Sequence, residues 1–159
     1  MDFEKLKLTA MVNAFSAIKI PLLAFITPNI IELDDKRSVV RVRLDLRTRN
    51  HLKVMYFGAL AMGAELSIAA KAVQAISQSG KRIDFLFKDF KAEFLKRADG
   101  HTHFVCDEAN KVEALVHKTA ASSDRQEQTF KGYAYVPSNS EEPVMKYQLT
   151  LSMKKRDKK

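Results

Sequence analysis

The segment Tyr56–Ser77 constrains this chain more than any other. It is rich in Ala, Leu and Met, all strong helix formers, and Gly80 stands where such a helix would stop. Ser67, Lys71, Gln74 and Gln78 recur at spacings of four, three and four, which predicts one solvent-facing polar stripe. Every other side is apolar or small, so the helix demands burial nearly all round. Glu65 breaks that logic. At about 100° per residue it falls opposite Gln74, on a face made of Gly58, Ala61, Ala69 and Ala72.

The flanking segments supply what could bury such a helix. Phe3–Ile20 carries Leu8, Met11, Val12, Phe15 and Ile18 at helical spacing, and Pro21 ends it. The run 21–31 is an apolar, Pro-punctuated connection, across the domain or at a cavity entrance. Ser38–Leu46 alternates Val40, Val42, Leu44 and Leu46 with polar residues and predicts a strand before the polar loop 47–51. Ile83–Leu95 reads as a strand with Phe85, Phe87, Phe90, Ala92 and Phe94 inward; the phase slips between Phe87 and Phe90, which predicts a bulge near Lys88-Asp89. His101–Cys106, Glu127–Val136 and Val144–Met153 read as further strands. Residues 108–121 read as a short helix capped by Asp107, with a strand over Val112–Lys118 as the alternative. The expected architecture is α+β: a long buried central helix, 56–78, wrapped by a curved antiparallel sheet of about five to six strands, with an extra N-terminal helix over 1–20. Residues 1–153 form one domain and 154–159 a basic, flexible tail.

Composition narrows the function classes. The chain has 159 residues, 46% of them apolar and 29% charged, an ordinary globular balance. No uninterrupted apolar run reaches the ~18 residues of a membrane span, and the N-terminus lacks the basic-then-apolar order of a secretory signal. A cytoplasmic location is therefore expected. With one cysteine, Cys106, no intrachain disulfide framework or cysteine-rich metal site is expected. Net charge is +8, half of it from the last six residues. That tail is read as a solubilising end, and no nucleic-acid partner is expected, because no such motif accompanies it.

Glu65 carries the sharpest chemistry. A lone carboxylate on a buried face keeps a raised pKa unless it is paired, and that is the setting of a general base. The alternative is an ion pair with an Arg such as Arg49 or Arg82, or access to solvent at a subunit edge. Gly58, in the first turn, offers a backbone N–H at the positive helix end, which can polarise a carbonyl oxygen; the alternative is a closely packed helix start. Asn50 either orients water and substrate through its amide or shapes its loop. His101, His103 and Cys106 read as strand residues rather than metal ligands or nucleophile. Arg41, Arg43, Arg47 and Arg49 either meet phosphates or form a solvated face.

Asn50 is followed six residues later by Tyr56-Phe57-Gly58, and then by Gly63-Ala64-Glu65. This pattern, with one buried helix and a following run of strands, resembles the hotdog-fold thioesterase superfamily, and within it the phenylacetyl-CoA-thioesterase-like branch, over roughly residues 5–153. The resemblance implies an acyl-CoA thioesterase with Glu65 as catalytic carboxylate, Gly58 as oxyanion donor and Asn50 as positioning amide. It implies a homodimer or homotetramer with the site between subunits, no metal and no cofactor. Tyr56 stands where the family carries His, and Phe57 where it carries Gly. These two, with His51, are the expected substrate-binding residues. A non-catalytic hotdog module that binds acyl-CoA or lipid is the alternative.

Overall fold

The computed structural model describes residues 3–156. In chain order it contains α1 (Phe3–Lys19), α2 (Pro21–Phe25), β1 (Asn29–Leu33), β2 (Ser38–Val42), α3 (Phe57–Ser79), β3 (Ile83–Phe94), β4 (Thr102–Cys106), α4 (Ala109–Ala120), β5 (Gln126–Tyr135) and β6 (Met145–Lys155). The strands form one antiparallel sheet in the order β1-β2-β4-β5-β6-β3. α3 lies along its concave side, against β2, β4 and β5, and α4 packs beside it. This is the hotdog arrangement, with α1 as an addition.

Close approach holds α3 to the sheet. A Cβ at Gly63 would collide with the Phe104 ring of β4, so glycine lets the helix settle onto that strand. Ala64, Ile68 and Ala72 of α3 are fully buried, and Phe104, Phe130, Leu151 and Met153 of the sheet belong to the same hydrophobic core. The helix ends at Gly80, whose φ of 62° is the left-handed conformation that closes a helix with little strain in glycine. By length and composition α3 passes the test for a bilayer span, with a mean hydropathy of 1.3, but 67% of that window is buried inside the domain. That is the setting of a core helix.

The polar stripe expected on α3 is wet only toward its end. Ser67 and Lys71 are buried: Ser67 Oγ shares a 2.8 Å hydrogen bond with the Tyr147 hydroxyl, and Lys71 Nζ lies 2.9 Å from Glu113 of α4 and 3.3 Å from Asp35. The stripe is the seam where α4 and the β1–β2 turn dock. Glu113 is held below the usual carboxylate range, first by its hydrogen bond to Lys71.

Other expectations shift for local reasons. The connection 21–31 holds a short helix and a sixth strand, β1. Its pairing slips between Ile30 and Glu32, which hides its alternation. β2 ends at Val42 rather than Leu46, because Thr48 Oγ1 accepts the Asp45 N–H and donates to the Arg43 carbonyl, folding the chain away and leaving Leu46 exposed. Ile18, expected on the buried face of α1, is exposed. Residues 109–120 are helical, but Asp107 does not cap them; it pairs with Arg37 at 2.9 Å. β6 runs through Lys154 and Lys155, two residues into the expected tail, because Ile83 and Asp84 of β3 continue the ladder there. Residues 157–159 of that tail lie outside the described residues. The expected bulge in β3 is present, between Phe87 and Asp89.

The Gly63–Phe104 contact gives a test. Gly63→Val should lower unfolding stability by about 1–3 kcal/mol, the usual range for overpacking. Urea denaturation measures it, and an unchanged midpoint would show that the helix does not rest on β4 as described.

Candidate active site

The bulge decides which β3 side chains reach the concave side. Phe85, Phe87, Phe90 and Phe94 stand opposite Met153, Leu151, Leu149 and Met145 of β6, on one face of the sheet. Those β6 partners are buried, yet Phe90 and Phe94 are 37% and 45% exposed. α3 covers the middle of the sheet and leaves the β3 edge open. α1 stands across the gap, and between α1, α3 and β3 lies a cavity of about 1190 Å³.

Glu65 lines this cavity with Met11, Phe15, Met62, Phe85 and Phe87. A second void of about 20 Å³ touches it under α1, walled by Val12, Leu23, Ala69 and Val73. Burial in these apolar walls pushes the Glu65 carboxyl above its ordinary value. No cation among the described residues offsets that burial. Arg49 and Arg82, the partners weighed from sequence, are exposed and do not pair with it.

The other expected residues gather at the N-terminal end of α3. Gly58 occupies the first turn, where a backbone N–H has no intrahelical acceptor. A Cβ there would come within 2.6 Å of the Tyr56 ring, which folds over the glycine. Phe57 is exposed and its ring centroid lies 5.6 Å from that of Phe94. Tyr56 is anchored through its N–H to the Thr48 carbonyl at 2.7 Å, and Met55 to the Ala98 carbonyl at 2.8 Å. Asn50 organises the preceding loop: its Oδ1 accepts the Leu52 N–H at 2.9 Å and the Val54 N–H at 3.3 Å. Its side-chain oxygen is thus committed to the turn, and its Nδ2 remains as donor. His51 lies exposed in the same turn. Neither Asn50, His51, Tyr56, Phe57 nor Gly58 shares the cavity wall with Glu65. Gly58 and Glu65 do share a helix face, about 10 Å apart along the axis at 1.5 Å per residue.

α1 is the part of the wall that sequence reasoning missed. Met11 and Phe15 were legible as one face of a helix, but nothing marked that face as turned toward Glu65. The remaining candidates have local duties. His101 Nδ1 accepts the Leu44 N–H at 3.0 Å, His103 packs edge-on against Tyr135, and burial pushes the Cys106 thiol up to about 11. Arg47 pairs with Asp45 at 2.6 Å, and Arg41 donates to Asn29.

A raised Glu65 pKa has a defined sign in stability. Above the ordinary value of 4.5 the unfolded chain ionises this group first while the folded chain keeps its proton. Stability from this group therefore falls as pH rises through that window, until the folded pKa is passed. Glu65→Gln removes the effect, so its melting temperature should gain on the wild type between pH 4 and pH 7. A difference that stays constant with pH in scanning calorimetry would contradict the unpaired, desolvated carboxylate.

The same architecture recurs in solved structures. A protein of unknown function from Chlorobaculum tepidum superposes with a TM-score of 0.80 at 10% identity, over 96% of this chain and 97% of that one. A mutant thioesterase from Pseudomonas aeruginosa gives 0.66 at 15% identity, over 93% and 94%. A thioesterase family protein from Silicibacter pomeroyi gives 0.63 at 15%, over 93% and 99%. At such identities the likeness establishes the hotdog fold. Comparison with curated proteins gives no match. The sequence model described as domain of unknown function DUF4442 matches residues 9–153, and the chain belongs to that family.

Proposed function

We propose that this chain is an acyl-CoA thioesterase that uses Glu65 to activate water. The observation that carries the reading is a partly buried carboxylate with a raised pKa, without a cation partner among the described residues, on the wall of a large apolar cavity. Burial that raises the pKa of a carboxylate also makes it a stronger base toward water. Water attacks the thioester carbonyl carbon as Glu65 takes its proton. The Gly58 N–H stabilises the oxyanion. The intermediate collapses with cleavage of the C–S bond, and the thiolate leaves with the proton from Glu65, giving the free acid and coenzyme A. Hotdog neighbours described as thioesterases support the reaction class. The Asn50–Gly58–Glu65 spacing resembles that of the phenylacetyl-CoA-thioesterase-like branch, which supports the reading.

The 10 Å between Gly58 and Glu65 favours a site shared by two copies. In a two-fold pair with antiparallel α3 helices, Gly58 of one copy stands opposite Glu65 of the other. The loop carrying Asn50, His51, Tyr56 and Phe57 then reaches over the second copy's cavity. The open outer edge of β3 and the exposed Phe57, Phe90 and Phe94 are the surfaces such a homodimer would cover, and further pairing would give a homotetramer. A non-catalytic acyl-CoA-binding module is the second reading. It is favoured by Asn50 Oδ1, which is occupied by its own turn.

Thiol release from a panel of acyl-CoAs tests the reaction. Glu65→Gln should lower kcat by about 10²–10⁴-fold, the usual weight of a general base, with substrate binding retained. Saturable binding without turnover by the wild type selects the binding module. Co-expression of Glu65→Gln with Asn50→Ala tests the shared site. Mixed dimers should recover turnover in one of their two sites, whereas a site built within one chain recovers none.

A further inference from the structure

The cavity beside Glu65 is longer than the chemistry of one carbonyl requires. Its α3 wall runs from Ala61 to Ser77, and its β3 wall from Ile83 to Phe90. From Glu65 to Ser77 the helix advances about 18 Å at 1.5 Å per residue. The β3 wall is about 23 Å long at 3.3 Å per residue. Beyond Glu65 the lining on α3 is Val73 and Ile76, facing Phe85 and Phe87 with Leu149 behind. The charged residues that border the space, Lys19, Asp84, Lys88 and Asp89, are all exposed and form its rim. α1 turns this open face of the sheet into a groove. Met11 and Phe15, one turn apart and half-buried, stand against the Glu65 stretch of α3, and Ile20 closes the far side.

We propose that α1, α3 and β3 form a channel for a linear aliphatic acyl chain of about 12–16 carbons, an extended chain advancing about 1.3 Å per carbon on C–C bonds of about 1.5 Å. The thioester sits at Glu65 and the methyl end between Ile76 and Ile83. Phe15 sets the width of the channel. The proposal rests on the thioester reading of Glu65 but makes a separate claim, namely that chain length is selected by this groove. A short or aromatic acyl group would leave most of an 18 Å apolar trough empty, whereas each buried methylene of a linear chain tightens binding about fourfold.

Non-hydrolysable S-alkyl-coenzyme A thioethers of 6–18 carbons, titrated by calorimetry, separate binding from turnover. The expected result is affinity that climbs about fourfold per methylene to a plateau near 14 carbons. Val73→Trp and Ile76→Trp, each shortening the trough, should weaken tetradecyl-CoA by at least about 30-fold and octyl-CoA by less than threefold. Phe15→Ala, which removes bulk instead of adding it, should admit branched chains that the wild type refuses. Flat affinity, or a preference for hexyl or phenylethyl thioethers, overturns the channel even if those thioesters are hydrolysed. Tight tetradecyl binding with no hydrolysis of any acyl-CoA keeps the channel and removes the catalytic reading. If the tryptophan variants dissociate an oligomer and leave chain-length preference unchanged, a second copy of the chain fills the groove and the proposal fails.

Discussion

The contact between Gly63 and Phe104 fixes where everything else can go. By accepting a phenyl ring where a side chain would stand, α3 settles onto β4 and commits its weight to the centre of the sheet. A helix about 10 Å across cannot then also reach the β3 edge. The core closes over β2, β4 and β5, and the aromatic row of β3 is left half covered. The open flank beside Glu65 is therefore a product of good packing elsewhere in the domain.

Lys71 shows the same economy about a third of a turn round the helix from Glu65. Its ammonium is nearly inaccessible, which is tolerable only because Glu113 and Asp35 face it from two different elements. Removing either carboxylate would leave the charge partly uncompensated. The two carboxylates tie α4 and the β1–β2 turn to this side of α3.

Much of this was legible in the sequence. The composition of 56–78 required a buried helix, and the slipped phase of the phenylalanines located the β3 bulge between Phe87 and Asp89. Glu65 stood out because a carboxylate on a small-residue face is costly to bury without a partner. What the sequence could not show were relations between distant segments. Ser67 and Lys71 are polar and evenly spaced, which is how a wet face looks; their partners, Tyr147, Asp35 and Glu113, lie 36 to 80 residues away. β1 escaped notice because its irregular pairing breaks the alternation that identifies a strand. Asn50 could be read as an amide with a free oxygen only until its loop closed on itself.

The bulge in β3 has a further consequence. This strand ends the sheet, so its outer amides and carbonyls have no neighbouring strand among the described residues. An unprotected edge of twelve residues would be a template for open-ended growth. The irregularity between Phe87 and Asp89 bends the strand and divides it, and any strand laid alongside finds regular register only over a short stretch such as Asp89–Phe94. An edge shaped in this way accepts one short partner and offers nothing to a third, which is how a sheet can stay open on one side without seeding a filament.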